Sequence, residues 1–297
     1  MRAISAMLGT LALFACAPGA PAPESYPTLS GEPPVIIAHR GASGDLPEHT
    51  IEAYTLAIQQ GADFIEPDLV MTKDGVLISR HDRFLSTTTN VSDREEFADR
   101  RRGQETFSGD RDDWWAEDFT LAEIKTLRAR QPYAGRSKEY DDQYEIPTFE
   151  EIVDLAIASG IGIYPETKSP SHHAVIGLDM KAPLLAAMEG LQVPVFIQSF
   201  EAEILRELNE MTDLKLVQLI SGDPSAAMMG HEPPLEEIGA YADGVGPYKV
   251  LLWASPGMPS DFVTRAHGFG LTVHPWTFRD ANLPDEYATP QAEFEAY

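Results

Sequence analysis

The chain has 297 residues, 43% of them hydrophobic, which is enough to bury the core of one large domain. Its 47 acidic and 22 basic residues give a formal net charge of −25, which argues against a nucleic-acid partner or a surface that binds anionic membranes. A substrate that carries phosphate would therefore need local cations, either a bound metal ion or a few placed arginines and lysines.

The first sixteen residues, MRAISAMLGTLALFAC, have the pattern of an export signal. One positive charge at Arg2 precedes an apolar run that is too short to span a bilayer. Cys16 ends this run, as in a bacterial lipoprotein signal, so we expect lipidation there; a simple secretion signal and an ordinary core cysteine are the alternatives. Residues 17–34 are rich in proline and alanine and predict a tether. We therefore expect an exported domain, in the periplasm or lipid-anchored to a membrane that faces it.

From residue 35 onward, short apolar runs alternate with amphipathic stretches, which is the pattern of βα units. VIIAHRG (35–41) predicts the first strand, and the following helix has Thr50 as its N-cap and Gly61 at its end. Glu48 and His49 are expected to cap or support the start of this helix. ADFIEPDLVMT (62–72) predicts the second strand, which a hairpin-like return, VLISRHD, follows.

Residues 84–147 interrupt this alternation with polar, charge-rich sequence, and we interpret them as an insertion after the second strand. They include one predicted helical piece at 121–131 and the segment PYAGRSKEYDDQYEIP (132–147), a candidate for selecting the substrate. The alternation then resumes. The predicted later strands are IGIYPETK (161–168), VFIQSF (195–200), LKLVQLI (214–220), DGVGPY (243–248) and LTVHPWTF (271–278).

Seven strands that alternate with helices favour an α/β fold of the TIM (β/α)₈ type over an open doubly wound sheet, because polar residues recur at the strand ends. An eighth strand is missing from the C-terminus of this pattern. ATPQAEFEAY (288–297) has the character of the helix that would precede it. A barrel without this strand has two unpaired edges, so we expect poor stability or aggregation, and a truncated chain as its explanation. The predicted barrel domain is 35–297.

Three carboxylates are placed to meet at the predicted strand ends, where the active sites of such barrels lie. Glu66 and Asp68 share one face of the second strand, about 6.6 Å apart along the backbone, and Glu166 lies in the same layer on the third. Such an all-oxygen set suits Ca²⁺ or Mg²⁺ and suits Zn²⁺ poorly. The alternative is that these acids form structural ion pairs with Arg40 and Lys168.

Two histidines, His39 and His81, end the first strand and the hairpin return, where one could accept a proton while the other donates one. Arg40 and Lys168 supply the positive charge that holds a phosphate in an acidic protein, the first as a bidentate donor and the second as a point charge.

Two aromatic residues, Phe200 and Trp276, are candidates for the pocket wall. They would look the same as ordinary aromatic residues of a barrel core, so the sequence leaves both interpretations open. His172 and His173 follow the third strand and are weaker candidates.

Four segments resemble the glycerophosphodiester phosphodiesterases: AHRGASGDLPEHT, FIEPDLVMTKDGVLISRHD, YPETK and VHPWTF. Residues 35–297 look like the periplasmic bacterial branch of that family in order and length. The resemblance implies a TIM barrel that hydrolyses glycerophosphodiesters, such as glycerophosphocholine and glycerophosphoethanolamine, to an alcohol and sn-glycerol 3-phosphate.

The resemblance also implies roles for single residues. In that family the histidines that match His39 and His81 act as general base and general acid. The acids that match Glu66, Asp68 and Glu166 bind the metal, typically Ca²⁺ in periplasmic members. The two cations named above match the positions that hold the phosphate.

Two alternatives from other classes stay open. An exported lipoprotein could use the same barrel as a surface-anchored binding protein, although the intact histidines and metal ligands count against this. A truncated, inactive fragment is the other alternative, and the missing strand favours it. We expect no nucleic-acid partner and membrane contact only through an N-terminal lipid anchor. The preferred alcohol and the oligomeric state stay open.

Overall fold

The computed structural model describes residue 26 and residues 28–106, 109–222, 232–255, 257–280 and 283–297. The predicted signal with Cys16 and most of the predicted tether lie outside this part of the chain, so both stay predictions. Within it, no helix combines the length and the apolar character needed to cross a membrane.

Short strands alternate with helices along the described chain. The strands are β1 Ile37–His39, β2 Phe64–Glu66, β3 Asp68–Met71, β4 Leu77–Ser79, β5 Arg102–Thr106, β6 Gly109–Asp113, β7 Gly162–Ile163, β8 Glu166–Thr167, β9 Phe196–Ser199, β10 Lys215–Ile220, β11 Gly244–Pro247, β12 Trp253–Ser255, β13 Met258–Pro259 and β14 Thr272–Val273. The helices are α1 Ile51–Gln59, α2 Leu121–Ile124, α3 Phe149–Ser159, α4 Pro170–Val175, α5 Lys181–Ala187, α6 Ala202–Asn209, α7 Leu235–Ile238, α8 Phe262–Gly268 and α9 Pro290–Ala296.

Seven parallel barrel strands follow one another around the wall, and two of them are each divided into two short strands. Their order is β1, β2–β3, β7–β8, β9, β10, β11 and β14. Pro67 separates β2 from β3, and Pro165 lies between β7 and β8, because proline has no N–H for the hydrogen-bond ladder. β4 returns antiparallel to β3, as the predicted hairpin requires. This strand order is that of a TIM-type α/β barrel, and the predicted fold class is confirmed.

The helices begin at polar caps that are readable in the sequence. The Thr50 side chain accepts a hydrogen bond from the backbone N–H of Ala53 at the start of α1, which confirms the predicted cap. Thr148 and Glu151 form a reciprocal capping box at the start of α3. Both helices pack against the barrel, because α1 and α3 contribute Tyr54, Phe149 and other buried residues to the largest hydrophobic cluster.

The opening of the barrel lies between β14 and β1. Within the described residues no strand joins these two, in agreement with the seven predicted strands. Both are only half-buried along their length, whereas β3 and β11 are buried at every residue. Val35 and Ile36, just before β1, are 51% and 62% exposed. The barrel wall is therefore accessible along this side.

The residues between β4 and α3 form a layer beside the barrel, at the position of the predicted insertion. β5 and β6 form a hairpin in this layer, and a second hydrophobic cluster joins it to Val70 and Ile78 of the barrel. The helix expected at 121–131 is wrong in extent, since α2 ends at Ile124. The backbone N–H groups of Ala129 and Arg130 donate to the carbonyls of Tyr144 and Thr88, so they cannot continue the helix.

Candidate active site

Three buried carboxylates meet near the C-terminal ends of two adjacent strands. One oxygen each from Glu66, Asp68 and Glu166 lies within 4.8 Å of the other two. The parallel register pairs Asp68 with Glu166, and the strand period places Glu66 and Asp68 on one face. The structure thus brings together the three residues predicted to bind a metal.

The three carboxylates carry their charge unequally. Burial and the nearby Asp68 and Glu166 raise the pKa of Glu66 well above its ordinary value. Burial also raises the pKa of Glu166, to about 8, although the positive charge of Lys168 acts to lower it. Burial acts on Asp68 in the same direction, but Lys168 and a hydrogen bond to His49 hold the pKa of Asp68 well below its usual range. A divalent cation would remove the repulsion that favours protonation here.

Lys168 and Arg40 form the ion pairs that the sequence left as an alternative. Lys168 Nζ lies 2.6 Å from Glu166 Oε1 and 3.3 Å from Asp68 Oδ1, and Arg40 Nε lies 3.3 Å from Asp68 Oδ2. Even so, Asp68 Oδ1 and Glu166 Oε1 are buried oxygens that accept no hydrogen bond with acceptable geometry. Buried polar atoms normally have partners, and oxygens of this kind are the ligands that Ca²⁺ and Mg²⁺ take. The residues present therefore fit a hard divalent cation.

Arg40 is held by an unusual backbone as well as by its side chain. Its φ of 61° places it in the left-handed region, and its N–H donates to Glu66 Oε2 at 2.8 Å. Its Nη1 donates to both oxygens of Glu48 at 3.2 Å. Gly41 follows with φ 78°, and a Cβ there would lie 2.7 Å from the backbone of Ala53. Glycine is thus required for the loop to pack on α1.

His39 and His81 both line the cavity above the carboxylates, so the structure brings the predicted acid–base pair to one site. Burial and the charge of Arg40 lower the pKa of His39 well below its ordinary value. Burial and the charge of Lys168 lower the pKa of His81, while Asp82 Oδ1, 3.2 Å from His81 Nδ1, acts in the opposite direction. Both rings are therefore neutral near pH 7 in the absence of substrate.

The cavity above the site has a volume of about 2130 Å³ and continues along the opening between β14 and β1. Ligand pockets commonly measure about 300–1,000 Å³, so the open side enlarges it. Phe200 and Trp276 lie in its wall, edge to face, with ring centroids 5.5 Å apart. Lys168 Nζ lies 5.8 Å from the centroid of the Phe200 ring. The two predicted wall residues therefore adjoin a predicted phosphate-binding cation.

His49 holds Asp68, one of the three residues predicted to bind a metal, whereas the sequence indicates only a supporting role for Glu48 and His49 at the helix start. His49 Nε2 lies 2.9 Å from Asp68 Oδ2, and Nδ1 lies 2.8 Å from Tyr54 Oη and 2.9 Å from Ser79 Oγ. A carboxylate only accepts hydrogen bonds, whereas a hydroxyl can donate one to Nδ1. Burial lowers the pKa of His49 to about 4, so the ring is neutral, and its proton is on Nε2.

His172 and His173, the weaker candidates, lie outside the carboxylate cluster. His172 Nε2 is 3.1 Å from Glu117 Oε1, next to Arg83. His173 is fully buried, and neither of its ring nitrogens has a hydrogen-bond partner among the described residues.

Residues 39–293 match the model of the glycerophosphoryl diester phosphodiesterase family. The chain belongs to this family. A glycerophosphodiester phosphodiesterase of Arabidopsis thaliana is 37% identical over 280 residues, which cover 84% of this chain and 75% of that protein. One from Haemophilus influenzae is 30% identical over 312 residues, with 88% of this chain and 83% of the relative covered.

A solved structure of a phosphodiesterase shares the fold. It is an Oleispira antarctica phosphodiesterase in complex with the product sn-glycerol-3-phosphate, with a TM-score of 0.61 and 23% sequence identity. The match covers 83% of this chain and 85% of that one. The prediction of a glycerophosphodiester phosphodiesterase, an enzyme that hydrolyses phosphoric diesters, is confirmed by family membership. The assignment to a periplasmic bacterial branch stays a prediction.

Proposed function

We propose that this chain hydrolyses glycerophosphodiesters, such as glycerophosphocholine and glycerophosphoethanolamine, to an alcohol and sn-glycerol 3-phosphate. The observation that carries the proposal is that three buried carboxylates meet beside a cavity that two histidines and two cations line. Ca²⁺ is the proposed metal and Mg²⁺ the alternative. Export to the periplasm, with lipidation at Cys16, belongs to the same proposal.

Glu66, Asp68 and Glu166 would hold the metal ion. When bound, a divalent cation acts as a Lewis acid on phosphoryl oxygens and lowers the pKa of a coordinated hydroxyl. Arg40 and Lys168 supply the remaining positive charge, which the phosphate needs in a chain of net charge −25. Phe200 and Trp276 provide an apolar wall for the carbon atoms of the substrate.

The two histidines divide the proton transfers. His39 accepts the proton of the glycerol 2-hydroxyl as that oxygen attacks phosphorus, and His81 donates a proton to the departing alkoxide. The lowered pKa of His39 keeps its ring neutral and ready to accept. A bound diester brings negative charge beside Lys168 and Arg40, which offsets the field that lowers the pKa of His81 and so favours its protonation. Water then opens the cyclic glycerol phosphate with the two roles reversed.

The test is release of sn-glycerol 3-phosphate from glycerophosphocholine by the purified chain with Ca²⁺, Mg²⁺ or EDTA. We expect metal-dependent release, and a fall in kcat of about 10²–10⁴-fold in His39→Ala and in His81→Ala, because each removes one proton transfer. His173→Ala is the matched histidine control: His173 lies on α4 and is not among the described residues that line the cavity, so the folded variant should retain activity. Diesters without a hydroxyl next to the phosphorylated carbon should resist cleavage.

Two results would contradict the proposal. If diesters without the neighbouring hydroxyl are hydrolysed as fast, attack by the glycerol 2-hydroxyl is wrong. If a folded chain that binds Ca²⁺ releases no product, the binding-protein or inactive-fragment alternative explains the chain better than the enzyme does.

A further inference from the structure

Two arginines in the cavity lack the carboxylate partners that arginines have elsewhere in this protein. In the part of the chain that the structure describes, every arginine has a carboxylate oxygen within 4.0 Å except Arg80, Arg136 and Arg279. Arg80 is fully buried and donates to the backbone carbonyls of Glu48 and His49. Arg136 and Arg279 instead line the cavity. With 47 acidic residues available in the chain, two arginines left for the cavity indicate an anionic ligand.

Tyr133 brings the two guanidinium groups to one place. The Cζ atom of Arg136 lies 4.6 Å from the centroid of the Tyr133 ring, and that of Arg279 lies 5.5 Å from it. Arg136 Nη1 also donates to the carbonyl of Ser43 at 2.7 Å, which ties the cluster to the loop after Arg40. Cation–π contact with one ring holds both guanidinium groups in the same place. Each guanidinium has five N–H donors, and among the described residues the bond from Arg136 Nη1 to Ser43 is the one that uses a donor, so most remain for a ligand.

The cluster lies on the His39 side of the cavity. Ser43, whose carbonyl accepts the hydrogen bond from Arg136 Nη1, also donates from its Oγ to the backbone carbonyl of His39 at 3.1 Å, so one residue links the cluster to the end of β1. In the proposed reaction His39 acts on the glycerol part of the diester. A group bound at Tyr133, Arg136 and Arg279 therefore belongs to the glycerol end of the substrate.

We propose that Tyr133, Arg136 and Arg279 form a second anion subsite, which binds a further phosphoryl group on the glycerol end of the diester. This inference rests on the proposed function. A phosphate monoester carries nearly two negative charges near pH 7 and three acceptor oxygens, so it matches two guanidinium groups better than a carboxylate does. The 1-hydroxyl of glycerol takes no part in the proposed chemistry, so a phosphoryl group there leaves the reaction intact. Tyr133 and Arg136 lie in the 132–147 segment that the sequence identified as a candidate for substrate selection.

The test compares the binding of glycerol 1,3-bisphosphate and glycerol 3-phosphate to the Ca²⁺-loaded full chain by titration calorimetry. We expect the bisphosphate to bind at least tenfold more tightly. Arg136→Gln and Arg279→Gln should each remove most of this difference and leave the Kd for glycerol 3-phosphate within twofold. Arg279→Lys should retain part of the difference, because it keeps the charge and loses the planar fork. Arg265→Gln, an exposed arginine on α8, is the control and should change neither Kd.

The subsite is overturned if the two ligands bind the wild-type chain equally, or if the variants weaken both ligands alike. Binding does not require turnover, so its outcome is separate from that of the proposed function. A chain that prefers the bisphosphate and does not hydrolyse glycerophosphocholine would retain the subsite and refute the proposed reaction. A chain that hydrolyses glycerophosphocholine but binds glycerol 1,3-bisphosphate and glycerol 3-phosphate equally would support the proposed reaction and refute the subsite.

Discussion

His39, Arg40 and Gly41 join the first strand to the site, and each has its own physical requirement. His39 ends β1 and faces the cavity. Arg40 takes a left-handed backbone, so that its N–H and its guanidinium reach the carboxylates of Glu66, Glu48 and Asp68. Gly41 permits the close approach to α1. The tripeptide thus provides the proposed proton acceptor, a cation and a turn within three residues.

Removing the His49 ring is expected to weaken the metal site. His49→Ala deletes the hydrogen bond that orients Asp68, so we expect the Kd for Ca²⁺, measured by calorimetry, to rise about 10–100-fold. Tyr54→Phe should have a smaller effect, because Ser79 Oγ still lies 2.9 Å from His49 Nδ1. An unchanged Kd in a His49→Ala chain with native circular dichroism would show that the hydrogen bond does not position the ligand.

At the scale of secondary-structure elements, the side chain of Glu117 links the insertion to the barrel. Its Oε1 lies 2.6 Å from Arg83 Nη1, 3.1 Å from Gln104 Nε2 and 3.1 Å from His172 Nε2. Gln104 belongs to the β5–β6 hairpin and His172 to α4 after the third barrel strand. One buried carboxylate therefore contacts three separate segments, and its charge stabilises their mutual placement.

Loss of the Glu117 charge should change the acid dependence of stability. Burial by itself would raise the pKa of Glu117, but the His172 hydrogen bond and the charge of Arg83 lower it to about 2 from 4.5. Since the folded-state pKa is depressed, this stabilisation is present above about pH 4.5 and is lost as the pH falls towards 2. We expect Glu117→Gln to lower the free energy of unfolding at pH 7 by about 2–3 kcal/mol, and to flatten its decline below pH 5, in urea titrations.

Glu96→Gln is the control for this prediction, because Glu96 pairs with Arg94 on the surface, with half of its side chain exposed. Surface ion pairs contribute about 0–1 kcal/mol, so this variant should follow the wild-type curve. An equally steep decline in Glu117→Gln would mean that other carboxylates control acid unfolding.

Two features of the whole molecule, its charge and its open side, oppose each other. The net charge of −25 repels other copies. The outer edges of β1 and β14, in contrast, are unpaired in the described part of the chain, and Val35 and Ile36 just before β1 are exposed. Salt screens the repulsion, since the Debye length falls from about 10 Å at 0.1 M to about 3 Å at 1 M. Salt does not weaken the apolar contacts that two exposed strand edges can form with each other.

Self-association should therefore increase with ionic strength. We expect analytical ultracentrifugation to show larger species at 0.5 M than at 0.02 M NaCl, and Ile36→Lys to reduce them, because a lysine next to an edge strand disfavours pairing with another chain. Ile157→Lys is the matched control, since Ile157 is 52% exposed on α3, away from the opening. A mass that does not depend on salt would show that the open side does not associate, and the expected aggregation would then be wrong.

The sequence by itself determined the order of the strands and most of the carboxylate site. Apolar runs, polar caps and the two-residue period of a strand are local properties, so the seven strands and the shared face of Glu66 and Asp68 could be predicted from neighbouring residues. Glu166 joined them because parallel strand ends meet at one edge. The extent of α2 could not be predicted, since the backbone partners of Ala129 and Arg130 lie on other segments.

Only the tertiary structure decided which side chains from distant loops meet. Arg136 and Arg279 are 143 residues apart and share the ring of Tyr133, and His49 reaches Asp68 as well as Tyr54 of the helix that follows it. Such contacts depend on how the insertion and the loops pack on the barrel, and no local pattern encodes that packing. The energy of a buried charge depends on all of its neighbours together, so the pKa of Asp68 and that of Glu166 diverge although their sequence contexts look alike.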